Sequence, residues 1–162
     1  MEIQTAREIA VNVRKLLEPY CERIEVAGSI RRRRPFVHDI DIVLIPANQG
    51  QLLYQIQQLG TIAKNGPKLL NINPSKYGVP IDIYVATPET WATLLLIRTG
   101  SKQHNIKLCT LARNKGYILH ADGSGLFQGT DCESGESRVA GDTEESIFRE
   151  LGLAYVPPEK RE

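Results

Sequence analysis

Apolar residues recur with a helical period through the first twenty positions of the chain. Ile3, Ala6, Ile9, Ala10, Val13, Leu16 and Leu17 are spaced so that they gather into one stripe of an amphipathic helix. Thr5 and Glu8 have the spacing of a capping box and Pro19 the position of a stop, which predicts a helix over 5–18. The period then shortens to two. Alternation over 23–27 predicts a short strand broken by Gly28-Ser29, and the β-branched run 40–45 predicts a second strand. Positions 51–59 suit a helix, 61–63 and 69–72 suit edge strands, and 79–86, with Pro80 near its start, reads as another strand.

The helical period returns after Thr87-Pro88, which reads as a helix start with proline at the first helical position. Gly100 separates that helix from a second one, which Gly116 ends through the left-handed geometry open to glycine. Positions 117–119 and 126–127 flank Asp122-Gly123 as a small hairpin. Asp142-Thr143-Glu144-Glu145 caps a last short helix, and Val156-Pro157-Pro158 forbids continuation. No internal repeat or low-complexity tract interrupts the order. Strands and helices in this sequence predict an α+β fold: a mixed β-sheet with flanking helices over 1–87, then a small C-terminal α/β lobe over 88–162.

Composition narrows the class. A chain of 162 residues, 41% hydrophobic and 24% charged, supports one well-buried domain or a domain with an appendage, and excludes disordered and fibrous classes. No apolar run reaches the roughly 18–20 residues of a membrane span, and the opening residues lack the order of a secretory signal. A soluble, cytosolic protein is expected. Three cysteines, Cys21, Cys109 and Cys132, without a CxxC pair, fit reduced thiols. Net charge is only +1, but Arg31 to Arg34 form a basic block and Arg98, Lys102, Lys107, Arg113 and Lys115 a second basic stretch, so one face is expected to be basic.

Asp39-Ile40-Asp41 puts two carboxylates at i and i+2, projecting from the same face of a strand with Cα atoms about 6.5 Å apart. Ile40, Ile42 and Leu44 then point into a core and hold the acids outward. Asp82 sits between Ile81 and Ile83 in the same manner. If the two strands pair, backbones about 4.8 Å apart bring three carboxylates together. Hard divalent cations relieve the resulting repulsion. An isolated Asp-x-Asp strand is more often a solvated sheet face. Gly28-Ser29, ten residues upstream at a strand end, changes that balance by offering backbone N–H groups and a hydroxyl to phosphate oxygens, with Arg32 adding a charge-assisted contact.

Gly28-Ser29-Ile30-Arg31-Arg32, then Asp39-Ile40-Asp41 and Ile81-Asp82-Ile83, resembles the nucleotidyltransferase superfamily that includes DNA polymerase beta. Thr99-Gly100-Ser101 with Asn105, the run 111–116, and the ending Tyr155-Val156-Pro157-Pro158-Glu159-Lys160-Arg161-Glu162 narrow the resemblance to the family X DNA polymerases. The resemblance implies a palm over 1–87 and a nucleotide-selecting lobe over 88–162, without the lyase and helix-hairpin-helix domains of larger members. It implies a monomeric DNA-directed DNA polymerase of repair or end joining, acting with DNA in a nucleoid or nucleus. Asp39, Asp41 and Asp82 would ligate two Mg²⁺ or Mn²⁺ ions. Gly28, Ser29 and Arg32 would hold the phosphates of a deoxynucleoside triphosphate, and Asn105, beside Gly100, the minor-groove edge of its base.

The chain departs from the family at three points. Ile97-Arg98 stands where many members carry an aromatic pair against the incoming sugar, which implies weaker rejection of ribonucleotides. Cys109 replaces an arginine directed at the template, which implies looser template checking. His38 replaces a glycine and reads either as packing on the turn or as a triphosphate contact. His104 and His120 read as surface positions, Trp91 and the leucines at 94–96 as core, and Lys68, Lys102 and Lys107 as contacts to a DNA backbone. Two other functions compete: a non-templated nucleotidyltransferase acting on RNA ends, small molecules or protein, and a catalytically inactive DNA-end-binding module.

Overall fold

The computed structural model describes residues 1–129 and 137–162. Cys132 lies outside the described residues, and Cys21 and Cys109 are free thiols. The chain divides into two compact units, Met1–Thr87 and Pro88–Glu162.

In the first unit, α1 (Ile3–Leu17) buries Ala6, Ile9, Ala10, Val13 and Leu17 along the stripe read from the sequence. It begins earlier than the Thr5–Glu8 pattern predicts, and no side chain caps it. Its first turn is fixed from outside instead: Ile3 N donates to Pro35 O at 3.0 Å, and Glu2 forms a β-bridge with Phe36. At its other end the helix tightens into a 3₁₀ turn, Glu18–Tyr20, that contains Pro19.

Five strands follow: β1 (Cys21–Val26), β2 (Ile40–Pro46), β3 (Gly60–Asn65), β4 (Leu69–Ser75) and β5 (Ile81–Val85), in the order β1-β2-β5-β4-β3. A short helix α2 (Gly28–Arg31) lies between β1 and β2, and α3 (Gln49–Gln57), capped by Asn48, between β2 and β3. Only the β2–β5 pair is parallel. Ile40, Ile42 and Leu44 of β2 and Ile81 and Ile83 of β5 are fully buried, joining the α1 stripe in one core. The strand at 69–72 is not an edge strand: β4 is enclosed by β3 and β5, and Pro74 lies beyond the four residues that pair with β5.

The second unit begins with α4 (Trp91–Thr99). Pro88 stands in the turn before it and Thr90 at its N-cap, so the helix starts later than Thr87-Pro88 predicts. Trp91 and Leu94 to Leu96 are core, as read. Gly100, at φ +70°, turns the chain into α5 (Lys102–Asn114), whose N-cap Ser101 accepts from His104 N at 3.2 Å. Gly116 follows α5 at φ +78°. The hairpin β6 (Tyr117–His120) and β7 (Gly125–Gln128) forms as expected and gains a third strand, β8 (Ser137–Ala140). Helix α6 (Glu144–Glu150) starts at a capping box in which Thr143 and Ser146 exchange hydrogen bonds.

The end of the chain is clasped to this unit by a buried cation. Arg161 is 0% exposed, with Nη1 3.0 Å from Oε1 of buried Glu144, Nε donating to Val156 O at 2.8 Å, and the guanidinium 5.5 Å from the rings of both Phe148 and Tyr155. His104 is not a surface residue. Its ring is buried 5.8 Å from that of Phe148, because position 104 falls on the core side of α5 with Leu108 and Ala112. His120 is half-buried, edge-on to Phe127.

Candidate active site

Parallel pairing sets the register of the acids. Asp41 on β2 lies directly opposite Asp82 on β5, and Asp39 comes just before β2, where Ile40 N is held by Pro80 O at 2.9 Å. One carboxylate oxygen from each of Asp39, Asp41 and Asp82 lies within 4.8 Å of the others. This is the convergence that the aliphatic–acid alternation predicts, with the isoleucines between them turned into the core.

The strand-to-helix turn packs onto the same carboxylates. Ala27 N donates to Asp41 O at 2.9 Å, which brings Gly28 against the Asp41 side chain at φ +57°. A Cβ at position 28 would stand 1.9 Å from Asp41 Oδ2 and 2.8 Å from its Cγ, so glycine is required both for backbone conformation and for space. Ser29 Oγ is buried with no hydrogen-bond partner among the described residues. Arg32, half-buried at the end of α2, is close enough to feel Asp41 and Asp39; burial, and then Arg34, lower its pKa against their pull.

Asp41 carries the electrostatic tension of the cluster. Burial, then the charges of Asp39 and Asp82, push its carboxyl up to about 7, although a hydrogen bond from Tyr84 and the Arg32 charge pull it down. Three oxygen-bearing acids within reach of one another match the hard-ligand preference of Mg²⁺ and Mn²⁺.

Two participants escaped the sequence reading. Tyr84 stands two residues after Asp82 on β5, hence on the same face, a signal that spacing alone carried. Asn71 on β4 pairs across from Asp82, and its Nδ2 donates to Asp82 Oδ1 at 2.7 Å. Only the register of β4 on β5 reveals it. His38 is exposed on the bend before Asp39, and Lys68 is exposed in the turn before β4.

The remaining sequence-selected residues belong to the second unit. Asn105 Nδ2 donates to Ile97 O at 2.8 Å, bracing α5 on the end of α4, and Asn105 Oδ1 is buried with no partner among the described residues. The Ile97 side chain is 8% exposed and packs in this unit's core, while Arg98 is half-buried beside Gly100. Lys102 and Lys107 are exposed on α5. Cys109 lines a cleft of about 460 Å³ with Arg113, Tyr117, Ile118, Leu119 and Gly129. Burial raises the Cys109 thiol pKa and the charge of Arg113 opposes this.

The architecture has known counterparts. A structure of Leishmania infantum polymerase beta, a ternary P/T complex, superposes on the whole chain with a TM-score of 0.81 at 23% identity, covering 76% of that chain. The fold is that of polymerase beta. The family described as DNA polymerase beta thumb matches residues 94–162. The DNA polymerase/3'-5' exonuclease PolX of Bacillus subtilis (strain 168) is 29% identical over 99% of this chain, which spans 27% of that protein's length. Repair DNA polymerase X of African swine fever virus (isolate Pig/Kenya/KEN-50/1950) is 23% identical over 91% of this chain and 86% of its own length. Over nearly its whole length the chain is similar in sequence to these X-type DNA polymerases and in fold to polymerase beta.

Proposed function

We propose that this chain is a DNA-directed DNA polymerase that adds deoxynucleotides to a primer 3′-hydroxyl in DNA repair. One observation carries the reading: one carboxylate oxygen from each of Asp39, Asp41 and Asp82 lies within 4.8 Å of the others, with Gly28 packed against the Asp41 side chain. Asp39 and Asp41 would ligate two divalent cations, Mg²⁺ or Mn²⁺, and Asp82 one of them. Bound there, the ions would supply Lewis acidity to the α-phosphate and to the primer hydroxyl. The protein's part is positioning. Ser29 Oγ, buried and unpartnered, and Arg32 hold the phosphates of the incoming triphosphate. The primer hydroxyl attacks the α-phosphate in line, and pyrophosphate leaves.

In this reading the first unit is the palm and the second the nucleotide-selecting lobe. Asn105 Oδ1 is the unpartnered group available to a base edge. The thumb match over 94–162 favours templated synthesis over a non-templated nucleotidyltransferase, and three intact aspartates argue against an inactive end-binding module. Primer extension with labelled nucleotides on templated, gapped and single-stranded substrates tests it. Template-dictated incorporation that disappears in Asp82→Ala is expected; no incorporation with either metal overturns the reading.

A further inference from the structure

Asp82 occupies the middle of the acid face, with Asp41 opposite it on β2 and Asn71 opposite it on β4. Repulsion from Asp39 and Asp41 would swing its carboxylate out of the cluster, since an aspartate side chain turns freely about two bonds. The 2.7 Å hydrogen bond from Asn71 Nδ2 holds Asp82 Oδ1 from the β4 side, across β5 from the strand that carries Asp41. Arginine or lysine at position 71 would also orient Asp82, but would neutralise the charge that attracts a cation. A carboxamide donates the hydrogen bond without contributing charge.

We infer that Asn71 is a positioning residue that keeps the Asp82 carboxylate aimed at the other two aspartates while the cluster keeps its full negative charge. This rests on the polymerase reading above. It departs from the sequence expectation, which assigned the site three acids and nothing on β4.

The test measures Mn²⁺ binding by electron paramagnetic resonance without DNA or nucleotide, alongside primer extension, in the full chain and in Asn71→Leu. The expected result is Mn²⁺ affinity and kcat each lower by about 10–100-fold, the effect typical of groups that orient metal ligands, with KM for the nucleotide unchanged. Wild-type affinity and kcat in the variant overturn the inference. So does a raised KM with kcat intact, which would make Asn71 a nucleotide contact. Melting curves check the fold, and Asn71→Ala replaces the leucine variant if that one unfolds. Failure of the wild type to bind Mn²⁺ or extend a primer instead overturns the polymerase reading itself.

Discussion

The two units fix their candidate residues by different means. In the first, register does it: Asp41, Asp82 and Asn71 lie in one row across three hydrogen-bonded strands, and none can shift without breaking a ladder. In the second, caps and side chains do it: Ser101 caps α5, Asn105 ties α5 to the last turn of α4, and Arg161 clasps the end of the chain onto Phe148, Tyr155 and Glu144. Buried polar atoms without a hydrogen-bond partner among the described residues nevertheless occur in both units, Ser29 Oγ in the first and Thr93 Oγ1 and Asn105 Oδ1 in the second. Unpaired buried groups of this kind cost stability, and Ser29 and Asn105, though not Thr93, are residues the sequence had selected for nucleotide contact.

If this contrast holds, side-chain deletions should unfold the second unit and spatial intrusions should disable the first. The largest effect is expected from Glu144→Ala, which strands the fully buried Arg161 guanidinium. A loss of about 3–5 kcal/mol is expected, read by denaturant unfolding of the second unit. Next comes Gly28→Ala. The new methyl forces Asp41 aside, and a displacement of roughly 1 Å lowers kcat by about 100-fold. Near-wild-type turnover with an unaltered melting temperature would show that the acid site tolerates misplacement after all.

A smaller effect separates the units by pH. The carboxyl of Asp41 is raised to about 7 in the folded state, above the roughly 3.9 of an unfolded aspartate. Its protonated form therefore supports folding fully below about pH 4, and that support fades as pH rises through 7, by about 2 kcal/mol with solvent reaching one side of the group. Without added metal, the melting temperature should be lower at pH 8 than at pH 5, and Asp41→Asn should flatten that dependence. The smallest expected effect is Thr143→Ala, which removes one capping hydrogen bond from α6 and should cost about 1 kcal/mol with no change in Mn²⁺ binding.

Much of the acid site was legible because its signals are local. Alternation showed which side of a strand Asp39, Asp41 and Asp82 occupy, and Gly28-Ser29 marked the strand end upstream of them. Asn71 was illegible because its role arises from a pairing between β4 and β5 that periodicity does not encode. The interior position of β4 was missed for a related reason: its place between β3 and β5 is set by pairings that its own short run of residues does not encode. The start of α1 was misjudged because contacts to Pro35 and Phe36, rather than Thr5 and Glu8, decide where the helix begins. His104 looked exposed only while the core side of α5 was unknown.

The parallel pairing of β2 with β5 carries an implication for how such a site changes over time. Two parallel strands cannot be joined by a tight turn, so the chain between Pro46 and Ile81 must leave the sheet and return. That excursion includes α3 and β3, which supply none of the groups around the aspartates. Sequence drift and length variation in those elements can therefore accumulate without moving Asp41 relative to Asp82. Such freedom ends at β4, where a single asparagine ties the returning chain to the chemistry.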